Sequence, residues 1–411
     1  MQKKMITIKN VKNLSGKVVT HYVPSKFEHT LDAQGTLTLL PALIDPHVHF
    51  RTPGAEHKED WMTAAKAAIH GGVTTVIDMP NTIPACTTYE RLYEKKARIA
   101  SQLEQVKIPL RHYLYFGVDR NCLNEISRTK NEIIGLKIFM GSSTGELLLD
   151  DDISLEKAFA EAAKNNLLVA VHAEDEETLK KMKDRHPKAT DPSFHSIIRC
   201  REAAIIAVTK AIKLAEKYRV RLNVLHISTK EEVDIIREAK LRGITVFAET
   251  TPQHLFLTID DYALWGTKVQ MNPPIRTQTD QDALWKGLLD GTIDTIGTDH
   301  APHTIAEKEL PFGKAPSGIP GIETVLPLLL DAYNKKRITL ERIVQLTRYN
   351  IEAIFKLPMQ DDVVLVDLNK TKTVQDENLK TKCGWSPFSG RQLTGWPVYT
   401  IVQGQIFSVD K

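Results

Sequence analysis

Ile44-Asp45-Pro46-His47-Val48-His49-Phe50-Arg51 is the stretch on which the fold of this chain turns. It closes an apolar run that begins at Leu39, as a buried parallel strand should, and it passes into a loop at Arg51-Thr52-Pro53-Gly54. Residues i and i+2 of an extended strand point to the same side. His47 and His49 therefore offer two imidazoles to one cation, while Val48 turns into the core behind them. Metal ligands at the carboxyl end of a buried strand suggest a catalytic site. A pair of structural histidines is the plainer alternative, and the residues downstream discriminate between the two.

Three more positions repeat the arrangement. His172 ends Leu167-Leu168-Val169-Ala170-Val171-His172, His226 ends Leu222-Asn223-Val224-Leu225-His226, and Asp299 ends Ile296-Gly297-Thr298-Asp299. Each sits where an apolar, β-branched run gives way to polar residues. Further strand-like runs cover Val73 to Met79, Arg111 to Val118, Ile133 to Met140, Thr245 to Thr251 and Thr292 to Thr298. Amphipathic helical stretches lie between most of them, such as Tyr89 to Gln105, Leu155 to Asn165, Lys230 to Gly243 and Asp280 to Leu289. Eight strand–helix units over about 300 residues is the arithmetic of an α/β chain folded as a (β/α)8 TIM barrel. A doubly wound open sheet would not gather ligands from the first, fifth, sixth and eighth strands around one centre. Short strands at Met5 to Lys9, Lys17 to Tyr22 and Gly35 to Leu39 precede the barrel, and Val363 to Asp367 and Thr394 to Val409 follow it. The expected organisation is a barrel over residues 40–355 and one small, discontinuous β-sandwich from residues 1–39 and 356–411.

The bulk composition narrows the function classes. Of the 411 residues 42% are hydrophobic and 26% charged, and the net charge is only +3, which gives no reason to expect nucleic acid or membrane partners. No apolar stretch reaches the roughly 18 residues needed to span a bilayer. Met1-Gln2-Lys3-Lys4-Met5 lacks the apolar core of a signal peptide, so cytoplasmic residence is expected. Cys86, Cys122, Cys200 and Cys383 are too scattered for a zinc ribbon or a disulfide framework.

The ligand positions imply a chemistry. His47 and His49 with Asp299 can hold one divalent cation, and His172 with His226 a second. Two cations a few ångströms apart need an anionic bridge. Lys137, in Gly135-Leu136-Lys137-Ile138, ends the fourth strand and faces the same centre. Carboxylated by carbon dioxide on its amine it would supply that bridge; a lysine that snorkels from the barrel mouth or binds an anionic substrate is the open alternative. Histidine ligands favour zinc over magnesium or calcium. Zinc lowers the pKa of a bound water from about 16 to about 7 and polarises a carbonyl, so a metal-bound hydroxide is the expected nucleophile. Asp299 can take the water's proton and pass it to the leaving nitrogen, as general base and then general acid. Arg51 supplies a fork suited to a carboxylate, and Asn81 and His303 add neutral or switchable donors, so the expected substrate is a small molecule bearing a carboxylate.

Together, His47-Val-His49-Phe-Arg51, Met-Pro-Asn81-Thr, Gly-Leu-Lys137, Val-His172-Ala-Glu, His226-Ile-Ser and Thr-Asp299-His-Ala-Pro-His303 resemble the dihydroorotases of the cyclic amidohydrolase superfamily. The resemblance extends to Trp385-Ser-Pro-Phe-Ser-Gly390, similar to a carboxy-terminal Trp-x-Pro-Phe-x-Gly of those enzymes. It implies reversible cyclisation of N-carbamoyl-L-aspartate to L-dihydroorotate, in pyrimidine biosynthesis. It also implies two zinc ions held by His47, His49, Lys137, His172, His226 and Asp299, with Lys137 carboxylated. Arg51, Asn81, Asn272 and His303 would bind the substrate, and Ser317 and Gly318 would approach the ring.

The chain departs from the family pattern in two places. It has Arg51-Thr52-Pro53-Gly54 where Arg-Glu-Pro-Gly is common, which bears on loop packing and not on the arginine. It also lacks the Asp-Asp-Gly context in which many bacterial relatives carry a bridging aspartate, and keeps Lys137 in its place. Gly141-Ser142-Ser143-Thr144-Gly145 is expected to form a mobile lid, with Ser143 or Thr144 capping substrate. Glu249 and His254 are expected to support the structure or the ligands. The alternatives are another ring amidohydrolase, such as dihydropyrimidinase or allantoinase, or a non-catalytic scaffold for a transcarbamoylase. A homodimer and a transcarbamoylase partner are both open.

Overall fold

Each apolar run becomes a barrel stave. In the computed structural model, which describes residues 4–143, 145 and 147–409, eight parallel strands follow one another in sequence order. They are Leu43–Val48, Val73–Asp78, Arg111–Gly117, Gly135–Phe139, Val169–His172, Leu222–Val224, Val246–Thr250 and Thr295–Ile296. The first and last meet through a parallel bridge between Val48 and His300, and His49 N–H donates to His300 O at 2.9 Å. Asp45 secures the closure, because its carboxylate accepts from Thr298 N–H at 3.0 Å, from the Thr298 hydroxyl and from His47 N–H at 3.2 Å. The helices fall where the amphipathic pattern places them, including Tyr89–Val106, Lys230–Leu241 and Gln278–Asp290. Thr229 and Glu232 form a reciprocal capping box at the start of the second of these.

Two staves are shorter than their apolar runs. The sixth stops at Val224 and the eighth at Ile296, just before His226 and Asp299. Both residues have left-handed backbones, with φ of 39° and 45°. A strand cannot continue through that conformation, and its cost for a residue with a Cβ is tolerated typically where a side chain must be aimed.

The two chain ends share one seven-stranded sheet, in the order Gln405–Ser408, Gln392–Val402, Val363–Thr373, Thr38–Pro41, Lys4–Lys12, Val18–Ser25, with His29–Asp32 also paired to Lys4–Lys12. Alternation along Val363–Thr373 explains how this sheet docks. Val364 and Val366 join the large core between barrel and helices, while Val363 and Leu365 pack with Ile6, Ile8, Val11 and Ile401 on the other side. Inside the barrel, Ile44, Ile77, Tyr115, Leu168 and Leu225 pack against Ile351, Ile354 and Phe355 and form an apolar floor beneath the histidines. Among the described residues, no helix is long and apolar enough to cross a membrane.

Candidate metal centre and active site

His47 and His49 leave the first stave on the inner side, and Val48 between them is fully buried in the outer core. Asp299 Oδ1 lies 3.3 Å from His47 Nε2 and 3.1 Å from His49 Nε2. The opposite ring nitrogens are engaged. His47 Nδ1 is 2.7 Å from Glu249 Oε1, and His49 Nδ1 is 2.7 Å from Asn81 Oδ1. An imidazole that donates from Nδ1 presents a lone pair at Nε2. Three ligand atoms within 4.8 Å of one another, on residues that are all buried, then point lone pairs at one spot. Such a set is repulsive by itself and fits a divalent cation. Burial holds the His47 and His49 rings neutral, lowering their pKa to about 3 and about 4, so both are competent ligands at neutral pH. Asp299 stays ionised despite its burial, its carboxyl held well below the usual range.

A second donor group adjoins the first. The His226 ring stands 5.3 Å from that of His47 and 4.9 Å from that of His172. His172 Nδ1 and His226 Nε2 face each other at 3.0 Å, and His226 Nδ1 is buried with no hydrogen-bond partner among the described residues. His172 Nε2 is 3.0 Å from Glu174, whose carboxylate also takes the Arg199 guanidinium through Nε at 3.0 Å and through Nη2. Burial opposes the Glu174 charge, yet Arg199 and His172 hold its carboxyl far below the ordinary range. Lys137 is 1% exposed, with its amine 4.5 Å from the centre of the Phe139 ring. Burial brings that amine down to about 7, against the opposing pull of Asp299 and Glu249. Burial also lifts the Glu249 carboxyl to about 8. Gly297 makes room for it, since a Cβ there would fall 2.6 Å from the Glu249 carboxyl.

One cleft collects most of the residues the sequence singles out. His47, His49, Arg51, Asn81, Lys137, His172, His226, Asn272, Asp299, Ser317 and Gly318 all line it, as does Ser143. Arg51 has a left-handed backbone (φ 62°), and its Nε donates to Pro302 O at 3.1 Å. Burial lowers its pKa only to about 10, so it stays charged. Asn81 does more than line the cleft, since its carbonyl oxygen fixes the His49 ring. His303 is the residue that the fold sets back. It is fully buried behind Arg51 and Gly318, with Lys58 Nζ 3.0 Å from Nδ1 and Ser317 O 3.1 Å from Nε2. Trp385 Nε1–H donates to its carbonyl at 2.8 Å. At Gly318, φ is 144°, and a Cβ would lie 2.5 Å from Ala301 O. Of the expected lid, Ser142 is held by Glu176 and Arg199, at 2.6 Å and 2.7 Å, and Thr144 lies outside the described residues. His254 supports a neighbouring turn, with its Nε2 3.1 Å from Pro273 O.

Several residues carry the site without a signal read from the sequence. Glu174 had one: it follows His172 by two and so shares its side of the strand. Asp45 stands two before His47 in the same way. Arg199, Lys58 and His195 come from loops and short helices, where no periodicity points inward.

Comparison with known proteins agrees with this geometry. A model of the amidohydrolase family matches residues 38–406. The chain belongs to the amidohydrolase family. Among curated relatives, it is 36% identical over 394 residues to the dihydroorotase of Methanosphaera stadtmanae, covering 90% of this chain and 86% of that one. It is 36% identical over 410 residues to the dihydroorotase of Methanosarcina acetivorans (96% and 86% covered), and 34% over 414 residues to that of Staphylococcus epidermidis (98% and 94%). Solved structures give cyclic amidohydrolases. The L-hydantoinase (dihydropyrimidinase) of Arthrobacter aurescens superposes with a TM-score of 0.92 at 27% identity, over 99% of this chain and 96% of that one. The dihydropyrimidinase of Brevibacillus agri gives 0.86 at 27% identity, over 98% and 94%. This amidohydrolase is a hydrolase acting on cyclic amides, with a candidate His47–His49–Asp299 metal site at the mouth of its barrel.

Proposed function

We propose that this amidohydrolase is a dihydroorotase, interconverting L-dihydroorotate and N-carbamoyl-L-aspartate. The observation that carries the choice of ring is the buried, charged Arg51 guanidinium on the wall of the cleft, two residues beyond His49. A cation held in a largely desolvated site favours a substrate that brings a carboxylate to it. The dihydroorotase relatives support the same reading, while the hydantoinase and dihydropyrimidinase structures support the shared ring-opening chemistry.

In this reading His47, His49 and Asp299 hold one zinc ion and His172 and His226 a second. Lys137, whose ammonium form burial disfavours, would serve as an N-carboxylated anion that supplies negative charge to such a pair. When bound, the zinc pair acidifies water and polarises the amide carbonyl. Glu249 and Asn81 hold the rings of His47 and His49 by their Nδ1 atoms, and Glu174, itself held by Arg199, holds His172 by Nε2. Asp299 Oδ takes the proton of the attacking water and returns it to the ring nitrogen as the amide bond breaks. Arg51 binds the substrate carboxylate through its Nη atoms. Asn272, Ser317 and Gly318 border the ring, and His303 acts one layer back by supporting the Arg51 wall.

The test is ring opening of L-dihydroorotate measured beside dihydrouracil, hydantoin and allantoin on one preparation. L-dihydroorotate is expected to turn over at least 100-fold faster in kcat/KM than the uncharged rings, an interval of about 2.7 kcal/mol. Equal or faster turnover of dihydrouracil or hydantoin would replace the proposal by a dihydropyrimidinase-type activity.

A further inference from the structure

We propose that His195 locks the side-chain amide of Asn272 in one orientation, so that position 272 presents a hydrogen-bond donor to the ring. The inference deepens the dihydroorotase reading and rests on it. His195 lies on the short Phe194–Ile198 helix, far in sequence from every cleft residue it serves. Its Nε2 is 2.9 Å from Met271 O and 2.9 Å from Asn272 Oδ1, and Ser317 Oγ stands 3.5 Å from the same nitrogen.

The first contact decides the rest. A backbone carbonyl is an acceptor and nothing else, so a ring nitrogen 2.9 Å from Met271 O must carry a proton. The ring is also neutral: it is buried, and burial and Arg199 lower its pKa to about 3. His195 is therefore the Nε2–H tautomer. An atom of Asn272 within 2.9 Å of that N–H must be the carbonyl oxygen, because an amide NH2 would set donor against donor. The amide nitrogen is then forced to the other side, where it lies 3.4 Å from Ser143 Oγ in the wall of the cleft. The flanking backbone cannot easily rotate to undo this, since Met271 O is held by His195 and Pro273 O by His254 Nε2 at 3.1 Å.

The consequence is a constraint on substrate. With its oxygen turned to His195 and its NH2 toward the cleft wall, Asn272 offers N–H bonds to a ring carbonyl and turns no acceptor toward a ring N–H. His195 is thus a positioning residue, acting on the ring through Asn272. Removing it would free the amide to rotate, and half of its orientations would then meet an acceptor with an acceptor.

The test is a double-mutant cycle on the metal-loaded full chain, with kcat and KM measured separately for L-dihydroorotate. His195→Leu is expected to raise KM about tenfold, the effect of one lost hydrogen bond, with kcat within about threefold. His195→Gln, which keeps an N–H donor, should recover KM to within about threefold of the unaltered protein. In an Asn272→Ala background, His195→Leu should change KM less than about twofold, since the group it acts through is gone. An equal effect of His195→Leu in both backgrounds, or a His195→Gln variant as impaired as His195→Leu, would overturn the proposal. The tautomer is also read without reference to turnover, from 15N-histidine spectra of the unaltered protein with His195→Gln for assignment. An Nε2–H signal is expected, and an Nδ1–H signal at His195 would overturn the proposal even if His195→Leu does not fold. Should the unaltered protein open another ring but not L-dihydroorotate, the dihydroorotase reading fails while the same cycle, run on that ring, still judges His195.

Discussion

Replacing Arg51 with methionine keeps an unbranched apolar stem and removes the guanidinium and its charge. The residue is 7% exposed, its guanidinium is anchored through Nε to Pro302 O, and it remains charged because burial lowers its pKa only to about 10. Losing one partner of a desolvated, hydrogen-bonded charge pair costs roughly 2–5 kcal/mol. A central value of about 3 kcal/mol corresponds to roughly 150-fold in kcat/KM for L-dihydroorotate. Most of it should fall on KM, because the carboxylate is bound in ground and transition states alike. Turnover of dihydrouracil, which has no carboxylate, should change less than about threefold. Arg51→Lys keeps the charge but not the planar fork, and an intermediate loss of about tenfold is expected. The assay is steady-state kinetics on both rings, with metal content measured on each variant because His49 is two residues away. Equal losses on the charged and uncharged rings would refute the carboxylate assignment. So would a loss of less than threefold on L-dihydroorotate.

Three further outcomes follow from the same geometry. Asp299→Asn should lower kcat by at least about 1,000-fold while the circular dichroism spectrum is unchanged, since the residue moves the proton and its contacts are within the cleft. Glu249→Gln should weaken metal binding by roughly 10–100-fold in a competition titration. Asp45 supplies the pH dependence. Burial raises its carboxyl from 3.8 to about 7, so between these values the folded protein holds a proton that the unfolded chain has lost. Stability of the metal-free protein should therefore fall as pH rises from 4 to 7, by up to a few kcal/mol, and Asp45→Asn should flatten that slope in urea melts.

Much of this architecture could be read before any coordinates. The strand period of two set His47 and His49 on one side and Val48 on the other, and both placements hold. Apolar runs at regular intervals gave the eight staves, because a strand covered on both faces must be apolar along its length. The ends of the staves were not readable. The left-handed backbones of His226 and Asp299 cut the sixth and eighth ladders short, and nothing in a one-dimensional pattern marks such a turn at a residue with a Cβ. Partners across the barrel were also hidden. Which side chain meets Glu249 or Arg199 depends on strand tilt and stagger, which local sequence does not encode. His303 shows the same limit in reverse. Its spacing from Asp299 suggested a place in the cleft; the ring is fully buried against the Arg51 wall, with Arg51 Nη2 3.2 Å and Ser317 O 3.1 Å from Nε2 and Lys58 Nζ 3.0 Å from Nδ1.

Lone pairs from distant staves converge where they repel one another unless a cation lies between them. Titrating metal-stripped protein with zinc, and following ring opening of L-dihydroorotate beside bound metal, tests this most directly. Activity should be absent without metal and rise to a plateau at about two equivalents per chain. Full turnover in protein shown to be free of metal, or a plateau reached with none bound by His47, His49 and Asp299, would contradict it.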